Sequence, residues 1–353
     1  VGLLMNLCIA RFTKFKYVFL TGHHSLFMAC LMSAVLGTAG LSGIELILVG
    51  GFLMGAWSAI SPAIGQSYTS KVTDGDEIAL GHFGSLGYYL SAWVAKYVGK
   101  AEESTEDIEI PEKWGFLRDS TLSTALTMIV FYLIAAIAAG SEFVATLSGS
   151  MSPYLFAIMS AMNFAVGVAI VYSGVRMILG DLIPAFQGIA TKIIPNAIPA
   201  VDCAVFFTYA PTAVVLGFIS SFIGGIIGML ILGAVGGVLI IPGLVPHFFC
   251  GATAGIYGNA TGGRRGAAVG AFLNGLAITF LPALALPVLG QLGFQNTTFG
   301  DADFAVMGLV LGNAFEWIGM AGIYGIVVIA ALVLIVPNFI KTKGKVINYV
   351  EED

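Results

Sequence analysis

Long uncharged stretches dominate this chain, and its charged residues fall in short groups between them. The uncharged runs cover residues 17–44, 120–141, 143–175, 203–263, 266–300 and 317–340. A helix needs about 20 apolar residues to cross the hydrocarbon core of a bilayer, so each run is long enough for at least one crossing. The run over 203–263 has room for two crossings and a shorter re-entrant piece. For the whole chain we expect about eight or nine crossings or hairpins.

The composition indicates that these runs lie in lipid rather than in water. Hydrophobic residues make up 58% of the 353 residues and charged residues 10%, with a mean hydropathy of +0.95, whereas soluble domains carry about 25% charged residues. A soluble globular protein is therefore excluded. The net charge of −5 offers no basic surface to a phosphate backbone, which argues against nucleic acid as a partner. The expected partner is a lipid bilayer, crossed several times by an all-α polytopic protein.

Cysteine and glycine point to packing rather than to chemistry. The four cysteines, at positions 8, 30, 203 and 250, lie far apart in apolar stretches with no CxxC pair, and we interpret them as small core residues. Gly224 and Gly228 lie four positions apart on one helix face, where small residues permit close helix contact. Motifs for nucleotide binding, metalloprotease chemistry and serine hydrolysis are absent from the sequence. We therefore expect no metal, no cofactor and no catalytic residue.

One segment, residues 100–119, is too charged to lie in hydrocarbon. It carries seven acids against three bases, a net charge of −4, and we expect it to be an aqueous linker. The linker divides the chain into membrane segments over 1–99 and over 120–340, which suggests two repeats. Three lysines open the segment 341–353, and the positive-inside rule predicts that this tail is cytoplasmic.

Histidine is the first polar residue type that stands out inside the apolar runs. His23 and His24 follow Gly22, and His82 follows Gly81. A glycine before a histidine in an apolar stretch indicates a broken helix or a hairpin tip, where free backbone N–H groups and an imidazole meet a polar solute together. The alternative is a histidine that is hydrogen-bonded to a neighbouring helix, and for His24 and His247 both interpretations remain open.

Asp202 is the second such residue. It follows two prolines, at positions 195 and 199, and precedes the long uncharged run that begins at residue 203. Its carboxylate can accept hydrogen bonds from sugar hydroxyls or carry a coupling proton. The alternative is a carboxylate at the membrane interface that pairs with Lys192.

Five segments in a fixed order resemble a known family. The segments LTGHHSLFMA, TDGDEIALGH, GVRMILGDLIPAFQGI, AVDCAVFFTYAPTAVVLGF and IIPGLVPHFFCGATAGIYGNATGGRRGA resemble the ascorbate-class membrane permeases, enzyme IIC (EIIC), of the bacterial phosphotransferase system. The resemblance extends from about Arg11 to Val336. Family members begin with further membrane segments, which agrees with residues 1–10 being the end of a span that starts upstream. The resemblance implies a homodimer whose protomers have a scaffold domain and a moving core domain, built from inverted repeats with re-entrant hairpins.

The resemblance also implies a set of site residues. In the family the TGH and GH histidines and the DCA aspartate line the substrate site, which transfers to His23, His82 and Asp202. Their neighbours are included in the expected site: Gly22, His24, Gly81 and Ala204.

The chain departs from the family at two positions of that site. Ascorbate permeases typically place glutamine four positions after the first histidine and directly after the second, where this chain has Phe27 and Phe83. Two polar contacts become aromatic faces. A site that loses hydrogen-bond partners usually loses affinity for the original solute, whereas a phenylalanine ring stacks on the apolar face of a sugar. The expected solute is L-ascorbate or a related sugar acid or polyol.

Three hypotheses about function follow. The first is a translocating EIIC subunit in the bacterial plasma membrane, which presents a sugar acid or sugar to a cytoplasmic EIIB protein that EIIA phosphorylates. Phosphoryl transfer then belongs to EIIB, so whether this chain counts as an enzyme stays open. The second is an ion-coupled secondary transporter that uses Asp202 or a histidine as proton carrier. The third, an intramembrane enzyme, lacks a recognisable pair of nucleophile and base.

Overall fold

The computed structural model describes residues 1–75, 77–109, 113, 119–291 and 299–340. The expected cytoplasmic tail, 341–353, lies outside the described residues, as do positions 110–112 and 114–118 of the expected linker. Helices form most of the described chain, and short strands interrupt them at three places. The helices are α1 (Gly2–Phe12), α2 (Gly22–Thr38), α3 (Gly43–Val72), α4 (Ser85–Val98), α5 (Ser120–Ala139), α6 (Ser141–Ser148), α7 (Pro153–Lys192), α8 (Cys203–Phe206), α9 (Pro211–Ala234), α10 (Leu244–Gln291), α11 (Ala302–Ile318) and α12 (Met320–Ile335).

Six helices of the described chain are long and apolar enough to cross a bilayer. They are α3, α5, α7, α9, α10 and α12. A helix makes most of its backbone hydrogen bonds internally, as a segment surrounded by lipid requires. Large apolar side chains remain exposed along these helices, as expected of surfaces that face lipid. The predicted all-α polytopic membrane protein is confirmed.

A small parallel sheet, which the sequence analysis did not predict, lies among the helices. It contains β1 (Tyr17–Phe19), β2 (Ala79–Leu80) and β3 (Ile198–Val201) in the order β1-β3-β2. Both pairings are parallel, with Val18 opposite Pro199 and Leu80 opposite Val201. Proline has no backbone N–H and would interrupt a strand pairing. Because β2 pairs with β3 only from Ala200 onward, Pro199 costs no hydrogen bond between these two strands. The three strands therefore run in the same direction, and their carboxyl ends lie at one edge.

Helix α10 is a hairpin of two antiparallel arms. Gly262 and Gly263 have non-helical backbone angles, with φ of +58° at Gly263. A Cβ atom on Gly258 would lie 2.4 Å from the carbonyl oxygen of Gly266, whereas eight residues of a continuous helix span about 12 Å. The chain therefore reverses at Gly262–Gly263, and the absence of side chains lets the two arms touch.

Helix α9 packs against both arms of this hairpin. A Cβ on Gly251 in the first arm would lie 2.4 Å from Cβ of Ser221, and one on Gly275 in the second arm 2.0 Å from the Ser221 carbonyl oxygen. On α9 itself, a Cβ on Gly224 would lie 2.3 Å from the carbonyl oxygen of Phe272. The predicted role of Gly224 in close helix packing is confirmed. Asp202 is followed directly by α8 and, after four intervening residues, by α9. The packing of α9 therefore holds the segment of chain that follows β3.

The described start of the expected linker lies against these helices. The Glu106 carboxylate accepts hydrogen bonds from the backbone N–H of Thr212 at 3.0 Å and of Ala213 at 3.1 Å, at the start of α9. The backbone N–H of Arg264 donates to the Glu103 carbonyl at 2.8 Å, next to the hairpin turn. This part of the linker thus connects the start of α9 to the turn of α10.

Candidate solute-binding site

The carboxyl ends of the three parallel strands bring the predicted polar residues together. Two residues separate the end of β1 from Gly22 and His23, Gly81 and His82 follow β2 directly, and Asp202 follows β3. The backbone N–H of Gly81 donates to the Val201 carbonyl at 2.7 Å, which joins two of these ends. In open parallel sheets, ligands bind outside the carboxyl ends of the strands. The same placement of polar side chains is found here inside a membrane protein.

His23 and Asp202 form the exposed part of the site. Nε2 of His23 lies 3.4 Å from Oδ2 of Asp202, and their side chains are 60% and 30% exposed. The other carboxylate oxygen of Asp202 accepts a hydrogen bond from the backbone N–H of Ala204 at 3.3 Å, as the N-cap of the short helix α8. Asp202 thus pairs with His23, and the α8 cap holds its carboxylate in place.

The three histidines of the site form a row that runs from solvent into the protein. The ring centroids of His23 and His24 are 4.7 Å apart, and those of His24 and His82 are 3.8 Å apart. His23 is exposed, whereas His24 and His82 are buried. If a polar solute enters beside His23, only its most deeply inserted part can contact His82.

Asp303 holds the loop that carries His82, and the sequence analysis missed this residue. Its carboxylate accepts hydrogen bonds from the Ser85 hydroxyl at 2.7 Å, the Leu86 backbone N–H at 3.0 Å and the Trp57 indole at 3.1 Å. Its backbone N–H donates to the Phe83 carbonyl at 2.9 Å. The contacts to Phe83, Ser85 and Leu86 hold the loop and the start of α4, and the contact to Trp57 joins them to α3. The available signal was a pair of acids, GDADF, between two apolar runs.

Asp301 joins the buried end of the row, and it too was missed. One of its carboxylate oxygens lies 3.8 Å from Nδ1 of His24. The other accepts a hydrogen bond from the Cys250 thiol at 2.6 Å. Cys250 and Cys203 are buried, in agreement with their interpretation as core residues, and Cys250 also has this polar contact. Cys8 and Cys30 are exposed, so the interpretation as core residues was wrong for these two.

Two groups of side chains in the described chain have the composition of a metal site but not its hydrogen bonding. The groups are His24, His82 and Asp301, and His82, Asp202 and Cys203, each with ligand atoms within 4.8 Å of one another. His82 is common to both groups, and its Nδ1 accepts a hydrogen bond from the backbone N–H of Gly84 at 3.1 Å. That lone pair is occupied. A neutral histidine that binds a metal through Nε2 carries its proton on Nδ1, where it would clash with the Gly84 N–H. This hydrogen bonding therefore disfavours His82 as a metal ligand.

The two phenylalanines that replace polar family residues have different environments. Phe83 is 0% exposed, and its ring stacks on Phe19 with centroids 4.5 Å apart. It belongs to the apolar core and presents no open face. Phe27 lies one turn after His23 on α2 and is 50% exposed. Phe27 therefore has an exposed aromatic face one turn away from His23.

His247 does not join this row. It lies at the start of α10, where its Nδ1 is 2.9 Å from the Ser221 hydroxyl on α9. This contact connects two packed helices, which is the structural interpretation that the sequence left open.

Comparison of the sequence with known proteins identifies the family. Residues 1–303 match the family model EIIC-GAT, described as the sugar-specific permease component of the phosphotransferase system. The chain is also similar to the ascorbate-specific EIIC component of Mycoplasma pneumoniae, with 25% identity over 305 residues, which cover 74% of this chain and 46% of that protein. The chain thus spans about half the length of this relative. With most of its length matched and six helices able to cross a bilayer, the chain belongs to the sugar-specific EIIC permease family of the phosphotransferase system and is a multi-pass plasma membrane protein.

Proposed function

We propose that this protein takes up L-ascorbate or a related sugar acid and presents it to a cytoplasmic EIIB protein for phosphorylation. The observation that carries the proposal is the half-exposed pair of His23 and Asp202 at the carboxyl ends of β1 and β3. A pair of this kind offers an imidazole and a carboxylate at one point, which suits a solute with both an acidic group and hydroxyls.

Each side chain of the proposed site has a distinct task. Asp202 accepts hydrogen bonds from solute hydroxyls, and His23 donates to an anionic oxygen once the solute separates the pair. The backbone N–H of Ala204, at the start of α8, keeps the Asp202 carboxylate oriented. Phe27, half exposed one turn after His23, packs on the apolar face of the ring.

The chemical step of the proposed cycle takes place on partner proteins. EIIB, phosphorylated by EIIA, transfers the phosphoryl group to the solute on the cytoplasmic side. The phosphorylated product no longer takes part in the equilibrium that would carry the solute back out, so uptake becomes effectively irreversible. We further propose that the permease is a homodimer in which a core domain with the strands and histidines moves against a scaffold domain.

Uptake of radiolabelled L-ascorbate by cells that express the full-length protein tests this proposal. The measurement is made with and without the cognate EIIA and EIIB proteins, and with Asp202→Asn as the inactive control. We expect accumulation only when both partners are present, with phosphorylated solute inside the cells. Uptake that persists without the partners and collapses with the proton gradient would instead identify a secondary transporter. No uptake of ascorbate by a folded protein would reject ascorbate as the solute.

A further inference from the structure

Two hydrogen-bond donors hold the imidazole of His82 from one side. The hydroxyl of Tyr88 lies 2.9 Å from Nδ1 of His82, and the backbone N–H of Gly84 donates to the same nitrogen at 3.1 Å. A backbone N–H has no lone pair to offer, so Nδ1 must be unprotonated. The single proton of the neutral ring then lies on Nε2. His82 and Tyr88 are both buried, so bulk water does not compete for these contacts.

We propose that Tyr88 is a positioning residue for solute recognition: through Nδ1 it orients His82 as a neutral hydrogen-bond donor toward an acceptor oxygen of the solute. This inference rests on the proposed function, because it concerns the same site. His82 lies at the buried end of the histidine row, and its ligand atom is within 4.8 Å of those of Asp202 and Cys203.

The arrangement adds a second hydrogen-bond donor, at the buried end of the site, to the pair of His23 and Asp202. An ionised Asp202 can only accept hydrogen bonds, and His82 in this tautomer can only donate one through Nε2. The preferred solute therefore carries hydroxyl donors on one edge and a carbonyl, enolate or carboxylate oxygen on the other. A sugar acid satisfies both sides. A polyol offers only hydroxyl oxygens to His82, and a hydrogen bond to a charged acceptor is roughly twice as strong as one to a neutral group.

The neighbouring tyrosine provides a matched control. Tyr89 follows Tyr88 on α4 and is also buried, but within the described part of the chain its hydroxyl has no hydrogen-bond partner. Tyr88→Phe and Tyr89→Phe remove the same atom from adjacent buried positions. Only the first change removes a contact to His82.

Nitrogen NMR of histidine-labelled protein in liposomes tests the tautomer without any solute. His82→Gln identifies the His82 resonances by their disappearance. We expect an unprotonated Nδ1 and a protonated Nε2 in the wild type and in Tyr89→Phe, and a shifted or broadened Nδ1 resonance in Tyr88→Phe. A protonated Nδ1, or a doubly protonated ring at neutral pH, would overturn the proposal. This result stands even if the proposed function fails.

Binding of L-ascorbate to the purified full-length protein tests the role of the tautomer. We expect Tyr88→Phe to raise the Kd about five- to tenfold, as for loss of one hydrogen bond to a buried polar group, and Tyr89→Phe to leave it within about twofold. The amide nitrogen of glutamine reaches the region of Nε2 and that of asparagine the region of Nδ1. His82→Gln should therefore bind more tightly than His82→Asn. Equal Kd values for the two tyrosine variants would contradict the positioning role. If the wild type binds no ascorbate, ascorbate is rejected as the solute, and the NMR result decides whether Tyr88 sets the tautomer of His82.

Discussion

Nε2 of His23 lies 3.4 Å from Oδ2 of Asp202, although the two residues come from distant parts of the chain. The parallel pairing of β1 with β3 makes this contact possible, because it aligns the carboxyl ends of both strands. A contact between side chains this exposed contributes at most about 1 kcal/mol to stability, even when both carry a charge. Its fixed position, supported by the α8 cap and the strands, is better explained by binding than by folding.

Asp202 both caps a helix and binds solute in our account, and two substitutions separate these roles. Asparagine is as good an N-cap as aspartate, whereas alanine at this position costs about 1 kcal/mol. We expect Asp202→Asn to keep the unfolding temperature of the wild type and Asp202→Ala to lower it. Both variants should raise the Kd for ascorbate more than tenfold, roughly the loss of one charged hydrogen bond. Wild-type affinity in Asp202→Asn would remove this residue from the site.

Replacing each of the two phenylalanines with glutamine, the residue of ascorbate permeases, should have different effects on stability and affinity. Phe83 is fully buried against Phe19, so Phe83→Gln places an amide in the apolar core and should lower the free energy of unfolding by about 2–4 kcal/mol. Phe27→Gln changes a half-exposed side chain and should leave stability unchanged while raising the affinity for ascorbate. Thermal unfolding and ascorbate binding of both variants check this expectation. Equal stability of the two variants would show that Phe83 is not a core residue.

The linker residue Glu106 should stabilise the start of α9. Its carboxylate accepts hydrogen bonds from the Thr212 hydroxyl at 2.9 Å and from two backbone N–H groups at the helix N-terminus. Loss of a capping carboxylate typically costs about 0.5–2 kcal/mol. We expect Glu106→Ala to lower the unfolding temperature, and Glu102→Ala, an exposed acid of the same linker, to have no effect. An equal response of both variants would mean that only the total charge of the linker matters.

The hairpin of α10 should tolerate no side chain where its arms touch. A Cβ on Gly258 would lie 2.4 Å from the Gly266 carbonyl oxygen, whereas a Cβ on Gly167 in α7 meets nothing within 4 Å. We expect Gly258→Ala to destabilise the protein strongly. Gly167→Ala should raise stability by up to about 1 kcal/mol, since alanine is the better helix former. Unfolding measurements on both variants decide, and a stable Gly258→Ala protein would be incompatible with the antiparallel arms.

The sequence was sufficient to predict the membrane class, because uncharged runs are a local feature. It also singled out His23, His82 and Asp202 as isolated ionisable groups, and the structure brings these three residues together at the carboxyl ends of the strands. It could not predict the sheet, whose strands of two to four residues are too short for an alternating pattern. Asp303 was missed for a different reason. Its partners Trp57, Ser85 and Leu86 are more than 200 positions away, and only the folded chain shows that it holds the His82 loop. The proposed inverted repeats remain a prediction.

The central claim is that the solute binds between His23 and Asp202 at the carboxyl ends of the strands. A structure of the full-length protein determined with saturating L-ascorbate tests this claim most directly. We predict density for the solute between the two side chains, with Asp202 in contact with a hydroxyl and His23 turned toward an anionic oxygen. Solute bound elsewhere, with the His23–Asp202 pair intact, would contradict the account.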